Sequence, residues 1–214
     1  MSLFTDEVRE KIRAQLAGTI TNAVRLVMFT QELECRFCSE TKQLIIELAK
    51  LNDRIQAEVH DFSADAELAR QYGIEMIPAL IIMSEKDFGI RYYGLPFGYE
   101  FQTLIEGLKT VSSGTTDLSD KTKQTIRQIV TPVRIKVFVT LTCPNCPMAA
   151  SMAEKFAFEN DLIKTDIIDA TEFPHLAQKY AVLGVPKIVI NEKIEFMGAV
   201  PEETFLSQVL SATT

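Results

Sequence analysis

Basic residues are in short supply. The 214-residue chain sets 22 Lys and Arg against 29 Asp and Glu, a formal net charge of −7. That leaves no cationic surplus to neutralise phosphates, which argues against a nucleic acid or an anionic membrane as partner. Long apolar runs are also missing: the longest, such as Ala79 to Met83, are five residues, where a membrane-spanning helix needs about twenty. The first residues carry Asp6 and Glu7 in place of the basic start and apolar stretch of a secretory signal, so the expected compartment is the cytoplasm. No Gly-x-Gly-x-x-Gly and no Walker sequence occurs. A bound nucleotide is therefore not expected, nor is any other resident cofactor, and electrons would have to come from another protein. With 47% hydrophobic and 24% charged residues, the composition is that of a globular protein whose length divides into two domains.

The cysteines are few and placed in a pattern. There are four, in Cys35-Arg36-Phe37-Cys38 and Cys143-Pro144-Asn145-Cys146. A structural disulfide framework belongs to small secreted domains, and this chain is long enough to bury real cores. Redox chemistry and metal binding remain.

An internal repeat places both motifs. Sliding the chain by 108 residues (143 minus 35) aligns residues 35–82 with 143–190 without a gap. Twelve pairs are identical, among them Asp61/Asp169, Tyr72/Tyr180 and Pro78/Pro186, where composition alone gives about three. The similarity reaches upstream, with Thr5-Asp6 recurring as Ser119-Asp120 and Val24-Arg25 as Val133-Arg134 at a slightly different offset. Two units follow, 1–117 and 118–214, joined by the Ser-, Thr- and Gly-rich stretch Ser112 to Asp117. Each reads as a capped opening helix, a buried strand (Leu26 to Phe29, Ile135 to Val139), a helix after the cysteine pair, a second strand ending at Asp61 or Asp169, a further helix, a hairpin and a closing helix. The fold class is α/β, with parallel and antiparallel pairs in one mixed sheet per unit, flanked by helices. The stripe Met148, Met152, Phe156 reads as core.

A Cys-x-x-Cys pair between a strand and a helix puts the first sulfur at the helix N-terminus, where unsatisfied N–H groups and the macrodipole favour a thiolate. The second lies one turn further, within bonding reach, and can resolve a mixed disulfide formed by the first. Cys35 and Cys143 are thus the expected nucleophiles, Cys38 and Cys146 the more buried resolving thiols, and oxidation should give two bridges, Cys35–Cys38 and Cys143–Cys146. Pro78 and Pro186, at matching places before the hairpin, read at minimum as strand-opening prolines.

These features resemble the thioredoxin superfamily, and the duplication with both pairs retained resembles the glutaredoxin-like protein disulfide oxidoreductases of thermophilic archaea and bacteria. The residues that carry the resemblance are Cys143 to Pro147, Gly184 to Ile190, and Asp87 to Gly94. It implies two tandem thioredoxin-like domains, dithiol–disulfide exchange on protein substrates, and a thioredoxin-reductase-like flavoprotein as electron donor. It also implies cis Ile77–Pro78 and Val185–Pro186 bonds, which would turn the backbone of Ile77 and Val185 toward the sulfurs, ready to pair with an extended peptide. One departure stands out: many thioredoxins carry a buried acid six residues before the first cysteine, where this chain has Phe29 and Val137, so the usual proton relay lacks its carboxylate.

The rival reading is a zinc or iron–sulfur module built on the two pairs. Zinc pairs usually lie closer in sequence, and here each pair has a repeated domain of its own, so no metal is expected. His60 and His175 occupy unmatched positions and read as structural.

Overall fold

The computed structural model describes residues 2–213. The first half comprises α1 (Asp6–Leu16), β1 (Val24–Thr30), α2 (Cys38–Ala49), β2 (Ile55–Asp61), α3 (Ala66–Tyr72), β3 (Ala79–Met83), β4 (Asp87–Tyr93) and α4 (Glu100–Ser113). The second repeats it: α5 (Asp120–Arg127), β5 (Val133–Val139), α6 (Cys146–Glu159), β6 (Ile163–Asp169), α7 (Pro174–Lys179), β7 (Lys187–Ile190), β8 (Ile194–Met197) and α8 (Glu202–Ser211). The opening helices start where their hydroxyls cap them: Thr5 accepts from the Val8 N–H at 3.3 Å and Ser119 from the Thr122 N–H at 3.2 Å, each satisfying one of the free donors of a helix start.

In each half the first strand is central. β1 runs parallel to β2 and antiparallel to β3, which pairs antiparallel with β4; β5, β6, β7 and β8 do the same. The two sheets do not stay separate. β4 pairs in parallel with β6, from Ile90↔Thr165 to Tyr93↔Ile168, giving one eight-stranded sheet of order β2-β1-β3-β4-β6-β5-β7-β8. The strands themselves show why this edge is covered and the far one is not. Ile90, Arg91, Tyr92 and Tyr93 are all buried, whereas β8 alternates half-buried Ile194 and Phe196 with exposed Glu195 and Met197. The second pattern suits a free edge with one solvated face, the first a strand walled on both sides.

The join continues above the sheet, where α4 packs against α6. Gly107 makes this approach possible: a Cβ there would lie 2.8 Å from Ile82 Cδ1 and 2.9 Å from Glu154 Oε1. Glu154, on α6, is buried and accepts a hydrogen bond from the Tyr92 hydroxyl of β4. The Phe88 and Phe158 rings stack at 4.5 Å. One large apolar core thus runs across both halves on this face, and a smaller one lies under α3 and α7 on the other. Among the described residues no helix is long and apolar enough to cross a membrane.

Candidate active site: two cysteine pairs

Each pair sits where a buried central strand hands over to a helix. β1 ends at Thr30 and α2 begins at Cys38; β5 ends at Val139 and α6 begins at Cys146. Both pairs are closed as disulfides, Cys35–Cys38 and Cys143–Cys146, with Cα atoms 5.5 Å apart, and among the described residues no cysteine is free. Cys38 and Cys146 are 2% and 0% exposed; Cys35 is half-buried and Cys143 is 8% exposed. In each pair the first cysteine is therefore the more exposed residue. Cys143 Sγ accepts the Cys146 N–H at 3.1 Å and lies 3.6 Å from the carbonyl oxygen of Val185.

Strand register brings each proline to the end of the central strand that leads to its cysteine pair. Pro78 immediately precedes β3, whose Ala79 faces Phe29 near the end of β1; Pro186 precedes β7, whose Lys187 faces Phe138 near the end of β5. Both Ile77–Pro78 and Val185–Pro186 are cis. The same register makes Phe29 the counterpart of Phe138, so the loop into Cys35 is one residue longer than the loop into Cys143, and the counterpart of Val137 is Met28. All four side chains are fully buried and apolar, so the position that is acidic in many thioredoxins is hydrocarbon in both units.

Two buried acids that sequence reasoning did not single out lie where the halves meet, below the loop that leads to Cys143. Asp169, at the end of β6, and Glu100, at the start of α4, are buried, and each leaves one carboxylate oxygen without a partner. They line a small cavity with Tyr92, Tyr93, Val139 and Leu141, directly under the loop that leads to Cys143. Burial pushes the Glu100 carboxyl up to about 7, and the Asp169 charge adds to the rise. The repeat identity Asp61/Asp169 was the available signal for one of them. Glu100 comes from the other half of the chain and had none.

The first pair has different surroundings. On that side β2 is the sheet edge, and a cavity of about 470 Å³ lined by Gln31, Glu32, Lys42 and Asp61 opens beside Cys35 and Cys38. Its loop is charged: Glu32, Glu34 and Arg36 are exposed, and the Arg36 guanidinium lies 4.9 Å from the Phe37 ring centroid. His60 stacks on Phe29 at 5.4 Å on strand β2, and His175 lies at the surface of α7.

Residues 133–211 match the thioredoxin domain family. A thioredoxin of Methanocaldococcus jannaschii is 36% identical over 78 residues, 36% of this chain and 92% of that protein. The chain belongs to the thioredoxin family. A protein disulfide oxidoreductase from Aeropyrum pernix superposes with a TM-score of 0.93 at 28% identity, covering 98% of this chain and 93% of that one. An alkyl hydroperoxide reductase protein of Escherichia coli is 26% identical over 155 residues, 72% of this chain but 28% of that protein, so this chain spans under a third of that relative's length. With two thioredoxin-type domains, each carrying a Cys-x-x-Cys pair closed as a disulfide, the chain is a thiol–disulfide oxidoreductase. Metal binding finds no support: the sulfurs are consumed two by two, and among the described residues no three His, Cys, Asp or Glu side chains gather as ligands.

Proposed function

We propose that units 1–117 and 118–214 each exchange disulfides with protein substrates, Cys35 and Cys143 attacking and Cys38 and Cys146 resolving. The observation that carries this reading is the ordering of exposure within each pair, together with the N–H that Cys146 offers to Cys143 Sγ at 3.1 Å. In the reducing direction the first thiolate attacks a substrate disulfide, forming a mixed disulfide and releasing one substrate thiolate, which takes a proton. The second cysteine loses its proton and attacks the first sulfur. The internal disulfide forms, the other substrate sulfur leaves, and two electrons have moved from the pair to the substrate. Ile77–Pro78 and Val185–Pro186 are the places where the extended substrate backbone would lie. A thioredoxin-reductase-like flavoprotein is the proposed electron donor and the cytoplasm the proposed compartment; the family resemblance and the lack of any nucleotide-binding motif support the former.

The two pairs should differ in potential. A hydrogen bond to a charged sulfur is worth about 1.5–3 kcal/mol; the Cys146 N–H already points at Cys143 Sγ in the disulfide and would donate to the thiolate once the bridge is reduced, with neutral Thr140, Leu141 and Thr142 before it. No such bond reaches Cys35 among the described residues, and Glu32 and Glu34 oppose a thiolate there while Arg36 favours one, so the charges partly cancel. A better-stabilised thiolate makes its disulfide more easily reduced. Titrating Cys35→Ser/Cys38→Ser and Cys143→Ser/Cys146→Ser double variants against glutathione should show one two-electron couple in each, with Cys143–Cys146 more oxidising by on the order of 30 mV, a factor of ten in the equilibrium constant. A variant that does not titrate would remove its surviving pair from the mechanism, and a more negative potential for Cys143–Cys146 would reverse the ranking.

A further inference from the structure

The sequence pattern placed Met148, Met152 and Phe156 together in the core. Only Phe156 is fully buried; Met152 is half-buried and Met148 is 60% exposed. The two methionines line a groove of about 540 Å³ that starts at Pro147, the residue after Cys146. The loop Ala199-Val200-Pro201 lines it too, as do Ser151 and Lys155 of α6 and the α4 residues Gln102, Thr103 and Glu106 of the other half.

The internal repeat shows what suits such a place. Gly94 donates its N–H to Pro78 O at 3.1 Å, and Gly198 donates to Pro186 O at 2.9 Å, which makes the two loops after the hairpins equivalent. Leu95-Pro96-Phe97 in the first half therefore corresponds to Ala199-Val200-Pro201 in the second. In the first half the chain covers this region itself. Phe4 is 6% exposed, with its ring 6.2 Å from Phe97 and 5.5 Å from Phe101. Where the first half has Leu95 and Phe97, the second has the smaller Ala199 and Pro201, and a groove is open beside them. Further apolar side chains are exposed near the second pair: Leu183 (93%), two residues before Val185, Met197 (63%), and Tyr99 (52%), whose N–H donates to Leu141 O at 3.0 Å. Beside the first pair the exposed groups are Glu32, Glu34, Arg36 and Lys42, with Leu33 the one large apolar side chain.

We infer that the groove beside Cys146 is a docking site for an apolar side chain, aromatic or long aliphatic, of the protein substrate, carried a few residues from the cysteine that reacts with Cys143. This rests on the proposed exchange at the second pair. A partner sulfur that reaches Cys143 brings its neighbouring residues onto this surface, and flexible, polarisable methionines accommodate varied apolar shapes. Unfolded chains, which expose such side chains next to cysteines, are the substrate class this favours. Desolvating one large apolar side chain supplies enough free energy for about tenfold in affinity.

The test uses two synthetic peptides with one intrachain disulfide each, identical except for Phe or Glu four residues from a cysteine, reduced with dithiothreitol. Reduction of hydroxyethyl disulfide, too small to reach the groove, is followed in parallel. In the Cys35→Ser/Cys38→Ser background the Phe peptide should have about a tenfold lower KM than the Glu peptide. Met148→Glu, and separately Val200→Glu, should collapse that ratio toward one. Met148 is largely exposed and Val200 half-buried against the core, and melting curves check that both variants fold. Equal KM for the two peptides, or a ratio unmoved by both substitutions while hydroxyethyl disulfide is still reduced, overturns the groove. Failure of that background to reduce hydroxyethyl disulfide at all overturns instead the assignment of exchange to Cys143–Cys146.

Discussion

Replacing all four cysteines by serine should bring dithiothreitol-driven reduction of a protein disulfide down to the uncatalysed rate, a loss of at least about 100-fold, because a hydroxyl at neutral pH supplies neither thiolate nor sulfur for exchange. Each double variant should retain part of the activity, since each pair closes on itself and depends on no sulfur of the other. The loss cannot be charged to unfolding. Each bridge spans a sequence separation of 3, so it constrains little of the unfolded chain, and serine nearly matches cysteine in size at the buried positions Cys38 and Cys146. Melting temperatures of the variants check this point. Full activity in the quadruple variant would exclude the cysteines as the reacting groups.

The second large effect concerns stability. Burial pushes the Glu154 carboxyl up to about 8, with the neighbouring charges of Glu100 and Glu106 raising it further against the hydrogen bond from Tyr92 and the charge of Lys155. In the unfolded chain the group titrates near 4.5. Between these values the folded protein holds a proton the unfolded chain has released, so stability is greatest below pH 4.5 as far as this group is concerned and falls as pH rises toward 8. From pH 5.5 to 8 the fall is about 3 kcal/mol for Glu154 alone, at 1.36 kcal/mol for each pH unit. Glu100, raised to about 7, acts in the same direction. Carboxylates held low by partners, such as Glu58 beside Arg25, contribute only at more acid pH. Glu154→Gln keeps an acceptor for the Tyr92 hydroxyl and carries no charge, so it should flatten the slope and stabilise the protein at pH 8. Denaturant unfolding at several pH values measures this directly. A wild-type stability that rises from pH 5.5 to 8, or a slope unchanged in Glu154→Gln, would contradict the burial argument.

Much of the fold was legible because the chain states it twice. The Asp61/Asp169 and Pro78/Pro186 identities placed strand ends and hairpins within a residue or two of their observed limits, and the Cys-x-x-Cys pairs announced themselves by spacing. What escaped was whatever arises between the halves. The β4–β6 pairing goes with Ile90 to Tyr93 being buried on both faces, and a short strand of mixed character, with Arg91 beside two tyrosines, does not say which strand will cover it. Glu100 meets Val139 and Leu141 only because α4 folds across the join. Met148 was misread because helical periodicity locates a face without saying whether a neighbour fills it; the small residues Ala199 and Val200, fifty positions away in sequence, leave it open. The departure at Phe29 and Val137 from the acid of many thioredoxins was plain from the sequence, while the one-residue difference between the two loops became visible only in strand register.

The most direct test of exchange at two independent sites is to trap it. In Cys38→Ser and Cys146→Ser single variants, each studied with the other pair replaced by serine, the resolving step is blocked, so reaction with a disulfide-bearing protein should stop at a mixed disulfide. Mass spectrometry should place that bond on Cys35 in the first variant and on Cys143 in the second, with dithiothreitol releasing the substrate. No covalent complex with either variant, or a bond that survives reduction, would contradict the mechanism.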